Sequence, residues 1–459
     1  MSNEAKTIIS GGTCVTTSGT YEADVIIDGE TIVALGDGTA FDADERIDAS
    51  GLLVMPGFVD PHVHIDDSAS IDSYATATAA AALGGVTTIL DFAWQTENND
   101  LKNEPRPLME GIARKNEKAS EMGAYVDYGL HGGLTVEDSD VIEELGSAVE
   151  AGVTSFKMFT AYDFGVSNGF IRRALDRIAD LDAVGVFHAE DDDICQDLVS
   201  EFRDQGNTNP TWYPKSRPDY AEAMAVDDIL RLATETGAKY YGVHTSCRKS
   251  AETVADYIGD GSQVRAETCT HYTTLDNSVY KRQGNLPLIA PPIRRPDDVE
   301  AVLEHLQAGV LSVVSTDHAP HYREDKQTEW WNSPYGAGSL QVSVPIFHDT
   351  AVKEGDFSHQ DLVKLMSANP ARTFGMSEKG SLNPGTDADV VLFNPSESCI
   401  ITEQNDASKQ DFSLYEGREV TGRVEKTFVR GEMIVDDGEL VGTADHGVFV
   451  ERECPDWSR

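Results

Sequence analysis

Between residues 52 and 318 the chain alternates eight short apolar runs with longer amphipathic stretches, and this alternation restricts the choice of fold more than any other feature. The runs read LLVMPGFVD, VTTILDFA, YVDYGLHG, TSFKMFTA, VGVFHAE, YYGVHTS, QVRAETC and LSVVSTDH. Segments between them, such as IDSYATATAAAALGG and DVIEELGSAVEAG, carry helical spacing. Eight strand-helix units predict an α/β chain with a (β/α)8 TIM-like barrel over residues 55–375. The ends have another texture. TIISGGTCVT, ADVIIDGETIVALG with a hairpin turn at IDGE, and ERIDASGLLVMPG read as short strands of a small antiparallel sheet. The texture returns after residue 375 in GSLNPGTDADVVLFNP and VEKTFVRGEMIVDDGELVG. Residues 1–54 and 376–459 are therefore expected to form one small composite β-sandwich domain, interrupted by the barrel. A chain of 459 residues accommodates one large and one small domain.

In a barrel of this kind the C-terminal ends of the strands converge on one face, where active sites sit. Five of the eight runs end in residues of one chemical type: His62 and His64 after the first, Lys157 in the fourth, His188 in the fifth, His244 in the sixth and Asp317 after the eighth. In FVDPHVHIDD the side chains of an extended segment alternate, so His62 and His64 point the same way and Val63 the other. A lone pair of this spacing is often a turn. Six converging groups predict a metal centre. Lys157 is the odd member, because an ammonium repels cations. Its place between Phe156 and Met158 should desolvate it and favour the neutral amine. A neutral amine adds carbon dioxide to give a carbamate, N6-carboxylysine, whose two oxygens can serve two metal ions.

Composition excludes some partners. Lys and Arg total 36 against 79 Asp and Glu, a formal charge of −43 that opposes binding to nucleic acid or to an anionic membrane. The acids are spread along the chain, as in FDADERID and EDDDICQD, which predicts a solvated acidic surface and a salt-adapted organism. No leader-like start and no bilayer-length apolar stretch is evident, so a soluble cytoplasmic protein is expected. Cys14, Cys195, Cys247, Cys269, Cys399 and Cys454 show no regular spacing, and reduced thiols are expected.

DPHVH, SFKMFTAY, FHAE, GVHTS, ETCTHY, APPIR, STDHAP, NPARTFGM and the terminal GSLNPGTDADVVLF, taken in order, resemble the cyclic amidohydrolases, and most closely their dihydropyrimidinase and hydantoinase branch. The resemblance implies a binuclear zinc centre: His62, His64 and Asp317 on one ion, His188 and His244 on the other, and carbamylated Lys157 bridging. It implies Asp317 as proton carrier and Tyr162 as hydrogen-bond donor to the oxyanion. The expected substrate is a small cyclic amide or ureide, bound with help from Ala290, Asn332 and Tyr335, and the expected assembly is a homo-oligomer, a tetramer. The chain departs from the branch in reading Ala290-Pro291-Pro292 for Ser-Pro-Pro, and at 65–71 and 332–338, where no clean Asn-Gly pair is found. Dihydroorotases have an Arg two positions after the second His, where this chain has Asp66 and Asp67, and the Asn-Glu-Pro-Gly stretch of allantoinases is missing. Allantoinase is the alternative within the chemistry. A non-catalytic dihydropyrimidinase-related assembly protein is the alternative outside it. His131, His271, His318 and His321 are expected to pack or to orient ligands, Glu190 to stand behind a ligand, and Asp191 to Asp193 to lie on the surface.

Overall fold

The computed structural model describes residues 6–96 and 104–458. All eight predicted runs contribute strands to one parallel sheet, in chain order: β1 (Phe58–Asp60), β2 (Val86–Trp94), β3 (Asp127–Gly133), β4 (Ser155–Phe159), β5 (Val184–His188), β6 (Lys239–Gly242), β7 (Val264–Cys269) and β8 (Val313–Ser315). Every ladder pairs neighbours in sequence. The seam between β8 and β1 is joined just beyond their ends, where Val63 and His318 form a parallel bridge and the His64 amide donates to the His318 carbonyl at 2.8 Å. The Asp60 carboxylate crosses the same seam, accepting from the amides of His62 (3.1 Å) and Thr316 (3.4 Å). Strands covered on both faces need no polar alternation. β2, VTTILDFAW, is buried at every position.

The two predicted helices form where the spacing put them. Tyr74–Leu83 begins at a reciprocal Ser73–Thr76 capping box, and Ser139–Glu150 begins at Asp138, whose side chain accepts from the Asp140 amide.

The terminal strands form two further sheets. One has four strands, all from the N-terminal region, in the order 31–36, 24–28, 6–10, 45–48. The other has seven and mixes both ends, with Val390–Ile400 antiparallel to Leu53–Pro56 and to Glu419–Val429. Ile9, Val25, Ile27 and Ile47 from the first sheet and Val54, Val390, Leu392 and Phe428 from the second share one buried cluster. The hairpin at IDGE is present, with Asp28 paired to Thr31. The sheets are mixed rather than antiparallel, because 6–10 pairs with 45–48 and 13–16 with 53–56 in parallel.

The run LLVMPGFVD serves two sheets. Leu53–Pro56 joins the terminal sheet, Phe58–Asp60 opens the barrel, and Gly57 turns the chain between them. A Cβ on Gly57 would meet Thr87 Oγ1 at 2.1 Å, so no other residue fits this close approach. The C-terminal segment runs along the barrel, with the Val450 amide donating to the Tyr128 carbonyl at 2.8 Å. The six cysteines form no disulfide.

Candidate metal centre

At the C-terminal ends of the barrel strands lies a cavity of about 460 Å³. His62, His64, Lys157, Tyr162, His188, His244, Ala290, Asp317 and Tyr335 all line it. Asn332 does not. It is exposed, and Ser333 and Gly336 face the cavity instead.

The six metal-type groups fall into two sets with the lysine as the sixth. Donor atoms of His62, His64 and Asp317 lie within 4.8 Å of one another, all buried. Asp317 Oδ1 stands 3.1 Å from His62 Nε2 and 3.5 Å from His64 Nε2. In the second set, His188 Nδ1 and His244 Nε2 are 2.9 Å apart. Lys157 Nζ lies 5.3 Å from the Phe92 ring and 5.0 Å from the Phe159 ring. Burial there pushes its amine down to about 8, against the pull of Asp317 and Glu267.

The backbone is strained where it delivers these groups. Tyr162 (φ 71°), His244 (φ 42°) and Asp317 (φ 50°) all occupy the left-handed region without being glycine. Such residues cost on the order of 1–3 kcal/mol each and persist where surrounding structure over-determines them. Tyr162 is held by its amide donating to Asp192 Oδ1 at 3.0 Å. Nothing in the sequence signals these conformations.

The electrostatics favour positive charge at the centre. Burial pushes Asp317 up, but His62 and the other imidazoles outweigh it and hold the carboxyl well below its usual range. Burial depresses His62 and depresses His244 further, so both rings are neutral donors. His64 alone rises, to about 9, because Asp317 and Asp67 overcome its burial. An imidazole flanked by two carboxylates satisfies them either by taking a proton or by binding a metal ion. Four imidazoles, one carboxylate and a lysine amine depressed by burial, converging in one buried pocket, suit a divalent cation of the zinc type.

Behind the rings stand residues that sequence reasoning missed. Glu267 Oε1 lies 2.6 Å from His62 Nδ1, and its other oxygen accepts from Tyr241 OH at 2.7 Å. A carboxylate near the end of a buried parallel strand was the available signal. Arg217 pairs with Glu190 (Nη2 to Oε2, 2.5 Å), and Glu190 contacts His188 Nε2 at 2.9 Å, so Glu190 stands behind a ring as expected. The Arg217 guanidinium also lies 5.2 Å from the Tyr162 ring and 5.4 Å from Tyr335. Burial holds the Tyr162 hydroxyl protonated far above neutrality.

The remaining histidines divide. His131 is packed away from the cavity between Ser155 Oγ (2.6 Å) and the Pro61 carbonyl (2.9 Å). His318 bridges Asp72 (2.8 Å) and the Ser339 amide (3.1 Å). His321 lines the cavity with its Nε2 on the Tyr335 carbonyl at 2.9 Å, and His271 is buried with Nε2 unpartnered. Asp191 caps the following helix, accepting from the Ile194 amide.

Comparison with known proteins gives the family. Residues 53–434 match the family described as "Amidohydrolase family". A D-hydantoinase of Streptomyces coelicolor is 34% identical over 467 residues, covering 98% of both chains. An allantoinase of Enterococcus faecalis is 31% identical, covering 98% of this chain and 100% of its own. The crystal structure of dihydropyrimidinase from Brevibacillus agri superposes with a TM-score of 0.94 at 33% identity, covering 98% of this chain and 99% of that one.

Proposed function

This chain belongs to the amidohydrolase family, and from that premise we propose that it is a metal-dependent cyclic amidohydrolase that opens dihydropyrimidine or hydantoin rings to N-carbamoyl amino acids. One observation carries the reading: four imidazoles and a carboxylate converge around a lysine whose amine is depressed to about 8. In this reading His62, His64 and Asp317 hold one zinc ion and His188 and His244 another. Lys157, once carbamylated, would supply carboxylate oxygens to them. When bound, two such ions supply hydroxide at neutral pH and an electrophilic contact for the ring carbonyl.

The chain's own groups do the rest. Both histidine contacts of Asp317 fall on Oδ1, which leaves Oδ2 to take the proton of the attacking water and pass it to the departing ring nitrogen. Tyr162, kept protonated by burial, donates to the oxygen on which negative charge develops. Tyr335 and the backbone near Ala290, Ser333 and Gly336 frame the ring. Among the described residues that line the cavity, Lys157 is the only lysine or arginine, so they offer a substrate carboxylate no other cationic side chain. A neutral ring is favoured over dihydroorotate. The formal net charge of −43 supports a salt-adapted setting, and among the described residues no helix is long and apolar enough to cross a membrane. A homotetramer completes the reading, by family likeness.

The test is a metal count on purified protein with a hydrolysis panel of dihydrouracil, hydantoin, allantoin and dihydroorotate. Two zinc ions per chain and turnover of the first two substrates are expected. Preference for allantoin would favour the second reading, which the allantoinase relative at 31% identity supports. A metal-free, inactive protein would sink both and favour an assembly role.

A further inference from the structure

Each imidazole at the barrel mouth turns one nitrogen toward the shared centre, and what faces the other nitrogen differs from ring to ring. Glu267 faces His62 Nδ1 at 2.6 Å, and Glu190 faces His188 Nε2 at 2.9 Å. His64 Nδ1 is buried with no hydrogen-bond partner, and Asp67 Oδ2 stands 3.6 Å from it. Resting on the metal centre proposed above, we propose that Asp67 is a positioning residue for the ion held by His62, His64 and Asp317: its carboxylate keeps the His64 proton on Nδ1 and leaves Nε2 as the ligand atom.

The local chain is built to bring this acid inward. Asp66 adopts φ 49° and reverses the backbone, while its own carboxylate reaches out to Lys118 Nζ at 2.5 Å. Its neighbour is thereby turned into the protein, where the Asp67 side chain is completely buried. A buried carboxylate needs compensation. Oδ1 accepts from the Ala69 amide at 2.8 Å, and Oδ2 accepts from Trp94 Nε1 at 3.0 Å. Burial pushes the carboxyl up, but His64, the charge of Lys115 and the indole donor bring it to about 2. Lys115, itself buried, also donates to the Ile65 carbonyl, one residue beyond His64.

The ring of His64 stacks on Phe92 at 4.7 Å and 24°, with Trp94 stacked beyond it. Phe92 therefore sets the plane of the ring. Asp67 sets which nitrogen carries the proton, as a carboxylate behind a metal-binding histidine does.

The experiment uses the zinc-loaded full-length enzyme and follows zinc transfer to a chromophoric chelator, with the thermal melt recorded in parallel. Asp67→Asn keeps the size and an acceptor for the Ala69 amide but removes the charge. One of the two zinc ions should leave roughly 10–100-fold faster, the range typical of lost partners behind a ligand. The other ion, backed by Glu190, should leave at the wild-type rate. Asp67→Glu should restore part of the retention, and Asp66→Asn, whose carboxylate points to Lys118, should match wild type. Wild-type release from Asp67→Asn overturns the inference, whether or not the melt is lowered. Should Asp67→Asn fail to fold, Trp94→Phe removes one donor to the same carboxylate; faster release supports the inference and an unchanged rate overturns it. A wild-type protein holding no zinc overturns the metal centre itself, whereas two ions in wild type with an unaltered Asp67→Asn overturn the inference alone.

Discussion

Two groups of three ligand-type side chains, all buried but Asp387, lie at opposite ends of the barrel, and each brings its donor atoms within 4.8 Å of one another. His62, His64 and Asp317 stand beyond the C-terminal ends of the strands. Asp127 opens β3 at the other end, with Asp387 and Asp389 leading into the terminal strand Val390–Ile400. The second group already contains its cation. Lys379 Nζ lies 2.5, 2.7 and 3.0 Å from the three carboxylates, and Arg430 also binds Asp127. At the mouth the nearby lysine is instead depressed by burial, and two of the three donors are imidazoles. Convergence alone therefore does not make a metal site. Where the chain supplies its own ammonium, the cluster joins the barrel to the terminal sheets. Where burial works against that charge, the cluster is open to an exogenous ion.

The sharpest way to break this contrast is Lys157→Ala. If Lys157 acts as a bridging carboxylate, its removal leaves two cations with no shared ligand, so metal content and activity should both fall to background. Acetate or propionate added with zinc should restore part of the activity, and chloride at equal ionic strength should not. An unmodified amine, seen by mass in fully active enzyme, would show that the lysine works as an ordinary rim residue. Next in size is Asp317→Asn, which keeps the volume but cannot carry a proton. Turnover should drop by about 10²- to 10⁴-fold, the usual range for a lost general acid-base group, with the melting profile retained. Near-normal turnover at saturating zinc would remove Asp317 from the proton path.

How much of this was legible in the sequence follows from what each feature depends on. The eight strands were readable because burial on both faces writes a continuous apolar run, and the six metal-type groups because the barrel collects strand ends. The division of LLVMPGFVD between two sheets was not readable, since Gly57 is needed for a contact with Thr87 that is remote in sequence. Arg217 and Glu190 meet only through the fold, 27 positions apart, and an isolated arginine carries no pattern. Asn332 was offered by the family resemblance as a substrate contact, but its loop turns Ser333 and Gly336 to the cavity instead. The left-handed backbone at Tyr162, His244 and Asp317 is imposed by tertiary contacts and leaves no mark on residue type.

At the other end of the barrel, Lys379→Met should destabilise without inactivating. Removing one partner of a buried ion cluster leaves carboxylates uncompensated and typically costs about 3–5 kcal/mol. Denaturant unfolding should show this loss, while turnover per folded molecule stays at the wild-type value. The pH dependence has a definite sign. Burial raises Asp127, but Lys379 and Arg430 outweigh it and hold the group below its ordinary value. Its contribution is therefore present above the unfolded pKa of about 3.9 and is lost as pH falls through the lower folded value. Lys379 is raised by its three carboxylates despite burial, so its contribution is complete below about 10.4 and disappears only as pH rises through the folded value. Asp389 is instead raised, by its burial, so on the acid side only Asp127 carries this sign, and the variant should lose less of that contribution than wild type on acidification below about pH 4. A variant as stable as wild type would mean that the three acids need no cation.

The smallest expected effect separates the buried joint from the surface. A net charge of −43 on a chain with 79 acidic residues repels itself most strongly at low ionic strength, where the Debye length is about 30 Å at 0.01 M. Raising salt to about 0.15 M shortens that length to about 8 Å and relieves the repulsion between exposed acids. Of the three carboxylates around Lys379, Asp127 and Asp389 are almost fully buried and Asp387 is partly exposed, and all three contacts are direct, so salt should affect them far less than the exposed acids. Wild type and Lys379→Met should therefore both gain on the order of 1 kcal/mol, a few degrees in melting temperature, along parallel curves separated by the cost of the missing ammonium. Curves that converge with salt would place the Lys379 cluster in contact with solvent, and curves that are flat or fall would mean that acid-acid repulsion is not what limits the stability of this surface.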